Sequence, residues 1–237
     1  MNIKLNSLKW YGRNFEHQGV RYFNYSLSGF EFCMTGKKAT ATILSDPNKQ
    51  KKSERGFIGV YVKEIKNATS YKGASFWENF PPENYEPLRL ELTKAENECL
   101  LFESPVEKTV VIKVLKLSEC AFGMAGLKKL SVSGKIHPAL RQTQGAKSLP
   151  KIEFIGDSIT CGYGIEGKWE KDTFCTKQER PDKAYAFLTA QALDADFQLC
   201  SWSGIGITSN YVDPATIKLP DTHWLMPACW PYTDKSG

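Results

Sequence analysis

The chain has 237 residues, of which 41% are hydrophobic, so it can bury a substantial core in one large domain or two modest ones. Its formal net charge of +5 comes from dispersed lysines, and the densest short run, residues 49–52, is typical of a solvated loop; the pattern therefore does not favour nucleic-acid binding. No stretch is apolar and long enough to span a bilayer, so no membrane partner is expected.

The start of the chain and its cysteines indicate the compartment. No apolar signal segment follows Met1. The seven cysteines include no C-x-x-C pair, which is typical of reduced thiols in a cytoplasmic protein. We therefore expect a cytoplasmic protein, or a secreted one if the first residue is an engineered start.

The first 145 residues contain short segments in which apolar and polar residues alternate or nearly alternate, separated by turn residues. This pattern predicts an antiparallel β-sandwich of the jelly-roll kind, without a convincing helix, as a domain over residues 1–145. The predicted strands are 20–23, 30–34, 39–44, 57–62, 88–92, 109–115 and 127–132.

The sequence pattern changes after a stretch without periodicity, residues 139–150, which is typical of a linker. A strand over 151–155, a helix opened by Pro181 and Asp182, and a strand over 197–200 predict a βαβ unit with a parallel sheet. The apolar stripe expected to face the core of this helix comprises Ala184, Tyr185, Phe187, Leu188, Ala192 and Leu193.

The predicted second domain, residues 150–237, contains only two confident strands. A doubly wound sheet usually needs about five strands to bury both of its faces. We therefore expect the sequence to stop partway through this domain.

Ser158 follows the strand 151–155 in the segment Gly156-Asp157-Ser158-Ile159-Thr160, where a buried strand turns into a helix or loop. A serine in this position either presents its hydroxyl as a nucleophile or serves only as a helix N-cap. The loop after the next parallel strand, with Gly204 and Gly206, is expected beside it, either as a close backbone approach to a substrate or as an ordinary tight turn.

These two blocks together resemble the SGNH (GDSL-like) hydrolases, and within them the carbohydrate esterase family 2, which joins a jelly roll to a hydrolase domain and acts on acetylated sugars and xylan. The resemblance is strong over 151–232 and looser in the predicted sandwich. Supporting stretches are Trp10-Tyr11-Gly12-Arg13, Lys116-Leu117-Ser118-Glu119-Cys120, Ala184-Tyr185-Ala186, Cys200-Ser201-Trp202-Ser203-Gly204, Met226-Pro227 and Trp230-Pro231-Tyr232.

The resemblance implies a serine esterase in which Ser158 is the nucleophile and the backbone N–H groups of Ser158 and Gly204 form the oxyanion hole. Two family elements, a Gly-x-Asn-Asp block that supplies a third oxyanion donor and an Asp-x-x-His block that supplies the base, have no match in these residues. We therefore expect the chain by itself to be nearly inactive. His223, two residues after Asp221, is a low-ranked alternative base.

Neither a metal nor another cofactor is expected, because the histidines at 17, 137 and 223 are scattered and the cysteines are unpaired. Two other functions stay open. A general GDSL-type lipase or arylesterase would prefer long acyl chains. A non-catalytic carbohydrate-binding protein would use Trp202, Trp224 and Trp230 as a saccharide platform. The oligomeric state is not predicted.

Overall fold

The computed structural model describes residues 5–46, 51–66, 68–71, 86–137, 149–168, 170–215 and 219–232. Among these residues, no helix is both long and apolar enough to cross a membrane. The predicted linker lies outside the described residues except for Leu149 and Pro150, and so does the predicted domain boundary at 145.

The described residues up to 137 are organised around one curled antiparallel sheet of eight strands, in the order β2-β3-β8-β4-β7-β5-β6, with β1 pairing with β4 outside this path. No α-helix interrupts its described residues, as the sequence predicts. The strands are β1 (Lys9–Tyr11), β2 (Phe15–His17), β3 (Val20–Tyr22), β4 (Gly29–Leu44), β5 (Phe57–Glu64), β6 (Leu88–Glu91), β7 (Glu96–Lys116) and β8 (Gly126–His137).

Strand β4 joins two segments that the sequence separates into 30–34 and 39–44. The residues between them suggest a turn, but they form a bulge in which Gly36 pairs with Gly134 of β8. A Cβ atom on Gly36 would lie 2.1 Å from the carbonyl oxygen of Ser133, so the two strands approach closely only because this residue is glycine. His137 ends β8 and is not part of a linker, and its Nε2 lies 2.8 Å from the Thr35 hydroxyl.

A second, smaller sheet consists of β9 (Lys151–Gly156) and β10 (Asp196–Ser201), which pair in parallel. Between them lie α1 (Ser158–Cys161) and α2 (Tyr185–Ala192), and α3 (Met226–Cys229) follows. This confirms the predicted order of strand, helix and strand. Pro181–Lys183 is a separate 3-10 turn, so the helix begins later than predicted.

The predicted buried stripe of α2 is correct only in part. Ala184 is buried and Phe187 is partly buried, whereas Tyr185 and Leu188 are about half exposed, at 48% and 50%. The fully buried residues of the helix itself are Ala186 and Ala190, which lie outside the predicted stripe. Small side chains let the helix axis approach a neighbouring sheet closely, and here these alanines supply that contact.

The antiparallel sheet buries apolar side chains on both faces. Its concave inner face holds a core that includes Phe30, Ile112 and Val114. Its outer face carries Leu115 and Val111, which pack in one cluster with Ala186 and Leu199 of the βαβ unit. Successive residues of β7 therefore serve two different cores, because side chains alternate along a strand.

Candidate active site

The site is built where β9 and β10 end side by side. The parallel register aligns Gly156 with Ser201, so the chain segments that follow both strands leave the same edge of the sheet. Ser158 begins α1 two residues after Gly156, and Gly204 lies three residues after Ser201. The topology thus brings the two predicted blocks together, as parallel pairing requires.

Ser158 is half-buried, and Asp157, not Ser158, caps the helix. The Asp157 carboxylate accepts the N–H of Ile159 at 3.0 Å, and this hydrogen bond fixes the turn. Within the ranges that the structure describes, no group hydrogen bonds the Ser158 hydroxyl. Asp157 therefore caps the helix in place of Ser158, and the Ser158 hydroxyl remains available for a substrate.

The turn before Ser158 depends on the absence of a side chain. A Cβ atom on Gly156 would lie 2.0 Å from the Thr160 hydroxyl oxygen. That hydroxyl is 3.0 Å from the Tyr185 hydroxyl on α2, so it is held in place. Glycine at 156 allows the strand to turn this sharply into α1.

The second loop holds Gly204 in a left-handed conformation, with φ of +79°, which favours glycine. Its carbonyl oxygen accepts the N–H of Tyr211 at 2.7 Å. Among the described residues, no acceptor takes the N–H of Gly204 or that of Ser158. Two backbone donors and one hydroxyl thus lie at adjacent loops without partners among the described residues, which supplies the nucleophile and the oxyanion donors of acyl transfer but not its base.

A cavity of about 320 Å³ lies beside the serine turn. Its walls combine backbone of the turn with apolar side chains from both loops and from α2. They are formed by Ile155, Gly156, Asp157, Ile159, Thr160, Tyr185, Ile205, Gly206, Ile207 and Met226.

His223 is exposed and Asp221 does not orient its imidazole. The Asp221 carboxylate accepts the backbone N–H of His223 at 2.9 Å, and this contact lowers the pKa of Asp221. The His223 carbonyl accepts a hydrogen bond from the Asn210 side chain at 2.6 Å. The two residues thus form a turn, and no contact among the described residues joins the imidazole to Ser158.

The three tryptophans do not form one platform. Trp202 is only 3% exposed and belongs to a buried cluster with Tyr25 and Met226. Trp230 is more exposed, but its indole N–H donates to Glu153 at 2.9 Å. Burial of Trp202 therefore rules out the predicted saccharide surface as a set of three rings.

Sequence reasoning gave no role to the buried polar groups behind the site. Glu119, Glu179 and Lys116 are fully buried at the junction between the outer face of the sheet and the βαβ unit. Burial raises the pKa values of both carboxyl groups and lowers that of Lys116. The available signal was the pair of opposite charges, Lys116 and Glu119, directly after the apolar residues 110–115.

Cys161 is buried, and its thiol donates to the Ser201 hydroxyl at 3.2 Å. Burial raises the pKa of this thiol well above its usual value, so it is not a nucleophile of the site. Within the described ranges, no group of three or more His, Cys, Asp or Glu side chains has the arrangement of a metal site.

No family model matches the chain, but individual proteins are similar to it. Cellulase/esterase CelE of Acetivibrio thermocellus is 52% identical over 61 residues, which are 26% of this chain and 8% of that protein. The acetylxylan esterase / glucomannan deacetylase of Cellvibrio japonicus is 31% identical over 137 residues, which are 57% of this chain and 36% of that protein.

A solved family two carbohydrate esterase from Clostridium thermocellum, in complex with cellohexaose, superposes with a TM-score of 0.70 at 26% identity. The match covers 95% of this chain and 58% of that one, so the chain spans little more than half the length of the solved structure. It spans about a third or less of the curated relatives that it matches. Over the part that it spans, the chain is similar to carbohydrate esterases of family 2.

Proposed function

We propose that the protein is a serine esterase that removes acetyl groups from acetylated carbohydrate through a covalent acyl-enzyme. Residues 1–145 would form a jelly-roll domain, and residues 150–237 would belong to an SGNH-type hydrolase domain. The observation that carries the proposal lies where β9 and β10 end side by side: the Ser158 hydroxyl and the N–H groups of Ser158 and Gly204 have no hydrogen-bond partner among the described residues.

Ser158 would act as the nucleophile. Its Oγ attacks the acetyl carbonyl carbon while its proton passes to a base, and the two N–H groups donate to the oxyanion that forms. Collapse of this intermediate breaks the ester bond, and the departing sugar oxygen takes up the proton. Water then attacks the acyl-enzyme and releases acetate, which restores the serine.

The proposed acyl group and sugar are inferred from the chemistry of the site and from the proteins that the chain is similar to. The C. japonicus relative is named for deacetylation of xylan and glucomannan, and the C. thermocellum structure holds cellohexaose. An acetylated β-linked polysaccharide is therefore the proposed substrate. His223 remains the weaker proposal for a base, because nothing in its surroundings directs its imidazole toward Ser158.

The test is acetylation of Ser158 by p-nitrophenyl acetate, followed by the burst of p-nitrophenol and by mass spectrometry of the peptide that carries the serine. The first half-reaction is the sharper measure, because it forms a bond to Ser158 itself and needs only a base in addition to the described hydroxyl and N–H donors. We expect one acetyl group on Ser158, no burst with Ser158→Ala, and an unchanged burst with Ser133→Ala, a control at an exposed position of β8.

Acetate release from acetylated xylan, compared with hydrolysis of a long-chain p-nitrophenyl ester, decides the substrate class. Faster turnover of the long-chain ester contradicts the deacetylase proposal and favours a lipase or arylesterase. Binding of cellohexaose without any acylation of Ser158 contradicts catalysis and favours a non-catalytic carbohydrate-binding protein.

A further inference from the structure

Glu119 connects the antiparallel sheet to the loop that carries Gly204. The residue lies in the connection between β7 and β8 and is fully buried. Its Oε2 accepts the backbone N–H of Ser203 in a short hydrogen bond. Ser203 directly precedes Gly204, so this contact fixes the chain on the N-terminal side of the free Gly204 N–H.

The opposite side of Gly204 is fixed as well, by the hydrogen bond from the Tyr211 N–H to the Gly204 carbonyl at 2.7 Å. A glycine with positive φ has wide conformational freedom unless its neighbours are held. Two hydrogen bonds, one on each side, therefore define where the Gly204 N–H points.

Glu119 is itself held rigidly. Its backbone N–H donates to Glu179 Oε2 at 3.0 Å, and its carbonyl accepts from Lys116 Nζ at 2.8 Å. Lys116 also donates to the Ser118 carbonyl at 2.9 Å, so the ammonium group ties this short segment together. A carboxylate on so rigid a support can fix the group that it binds.

Cys161 is the last residue of α1, the helix that begins with Ser158, and it is fully buried. Its thiol donates to the Ser201 hydroxyl at 3.2 Å. Burial raises the pKa of Glu119, while Ser203, Cys161 and Lys116 act in the opposite direction. The hydrogen bond that joins Glu119 to the candidate site is therefore the one from Ser203.

We infer that Glu119 is a positioning residue, which holds the Ser203–Gly204 peptide so that the Gly204 N–H points toward the oxyanion formed at Ser158. This inference rests on the proposed esterase function. It gives the antiparallel sheet a part in catalysis at a distance, without contact between Glu119 and the substrate. A carboxylate accepting a backbone N–H makes a stronger hydrogen bond than a neutral acceptor, so loss of the acceptor should loosen the loop.

The experiment compares Glu119→Leu, which keeps the volume but removes the acceptor, with Glu119→Gln, which keeps a neutral acceptor. Acylation of Ser158 by p-nitrophenyl acetate should slow by about 10²-fold in E119L, the scale of losing one oxyanion donor, with an unchanged concentration dependence. E119Q should recover to within about 10-fold of the wild type. Amide hydrogen exchange at Ser203 and Gly204, measured by NMR, should accelerate in E119L and be restored in E119Q.

Tyr61→Phe is the matched control, because it removes a buried hydrogen bond of the same interface, from the Tyr61 hydroxyl to Asp182 Oδ2, without touching the Gly204 loop. Equal changes at Gly204 in Y61F and E119L would show a merely structural role and overturn the inference. Wild-type acylation rates and amide exchange in E119L would overturn it too. If E119L fails to fold, E119Q and Glu119→Ala provide the same contrast.

Failure of the proposed function gives a different result. If wild-type Ser158 is never acylated, the esterase proposal falls, and the exchange rates at Ser203 and Gly204 then show by themselves whether Glu119 holds the loop.

Discussion

The antiparallel sheet and the βαβ unit bury their apolar side chains to very different extents. The inner face of the sheet encloses Phe30, which is fully buried among the rings of Trp10, Phe23 and Phe32. In the βαβ unit, by contrast, Ile159 and Ile207 are 70% and 73% exposed.

Polar contacts with the sheet hold the βαβ unit in place, together with the apolar cluster on the outer face of the sheet. Arg13 pairs with Glu153 of β9 at 2.7 Å, and buried Arg180 pairs with Asp182, which in turn accepts from Tyr61 of β5. The inner core of the sheet is made by the sheet alone, whereas the candidate site depends on contacts that cross between the two parts.

The largest expected effect comes from Phe30→Ala, which opens a cavity in the inner core. We expect a loss of about 3–5 kcal/mol in the free energy of unfolding, measured by urea denaturation. Leu188→Ala, at a half-exposed position of α2, should cost less than about 1 kcal/mol. Comparable losses in both variants would show that the outer side of α2 is packed in solution. They would contradict the difference in burial between the sheet and the βαβ unit.

The buried pair of Lys113 and Glu31 lies on the outer face, with Nζ and Oε2 3.2 Å apart and both side chains almost fully buried. Lys113→Met leaves the Glu31 carboxylate with the Tyr11 hydroxyl but without its cation, and should cost about 3 kcal/mol. Adding Glu31→Gln should recover much of that loss, because no buried charge then remains unpaired. A double variant no more stable than K113M, again by urea denaturation, would argue against a coupled pair.

The same lysine should make stability depend on pH. Burial lowers the pKa of Lys113 to about 7, although Glu31 acts to raise it. Between about pH 7 and pH 10 the unfolded chain binds more protons at this residue than the folded one, so the free energy of unfolding should rise with pH, by at most about 1.4 kcal/mol per pH unit. Subtracting the pH profile of K113M from that of the wild type isolates this contribution, and a difference that falls with pH would have the wrong sign.

The smallest effect is expected from Tyr61→Phe at the junction of the two parts. The Tyr61 hydroxyl donates to Asp182 Oδ2 at 3.0 Å, and its removal should lower the free energy of unfolding by about 1 kcal/mol. Thermal unfolding of Y61F measures this loss, with Ser133→Ala as a control that should be as stable as the wild type. Equal stability of Y61F and the wild type would mean that the hydrogen bond adds nothing to the attachment of the βαβ unit.

Much of the sheet was predictable because alternation is a local property. Segments such as 57–62 and 127–132 were identified as strands, and they fall in β5 and β8. The first half of β7 was missed, because residues 96–108 are mostly polar on their exposed side and only Asn97, Cys99 and Leu101 turn inward. That half-strand is stabilised by pairing with β4, a long-range contact that no local pattern shows.

The sequence predicted the two segments that form the candidate site, but it did not predict the buried side chain that holds one of them. The blocks around Ser158 and Gly204 were recognisable because the strand-turn pattern and the glycines are local features. Glu119 was only one of several residues carrying the resemblance, since nothing near it in sequence reveals that its carboxylate meets Ser203, far along the chain. Likewise, the larger apolar residues of α2 suggested its buried face, whereas alanines form it.

The sequence by itself determined most of the strands in outline, the order of the βαβ unit, the serine turn and the similarity to carbohydrate esterases, because these depend on residue patterns over short stretches. Only the tertiary structure decided which faces are buried, which residue caps α1 and which side chains join the sheet to the candidate site. Those outcomes depend on groups distant in sequence that desolvate one another, and their free energies are set by partners that only the folded chain brings together.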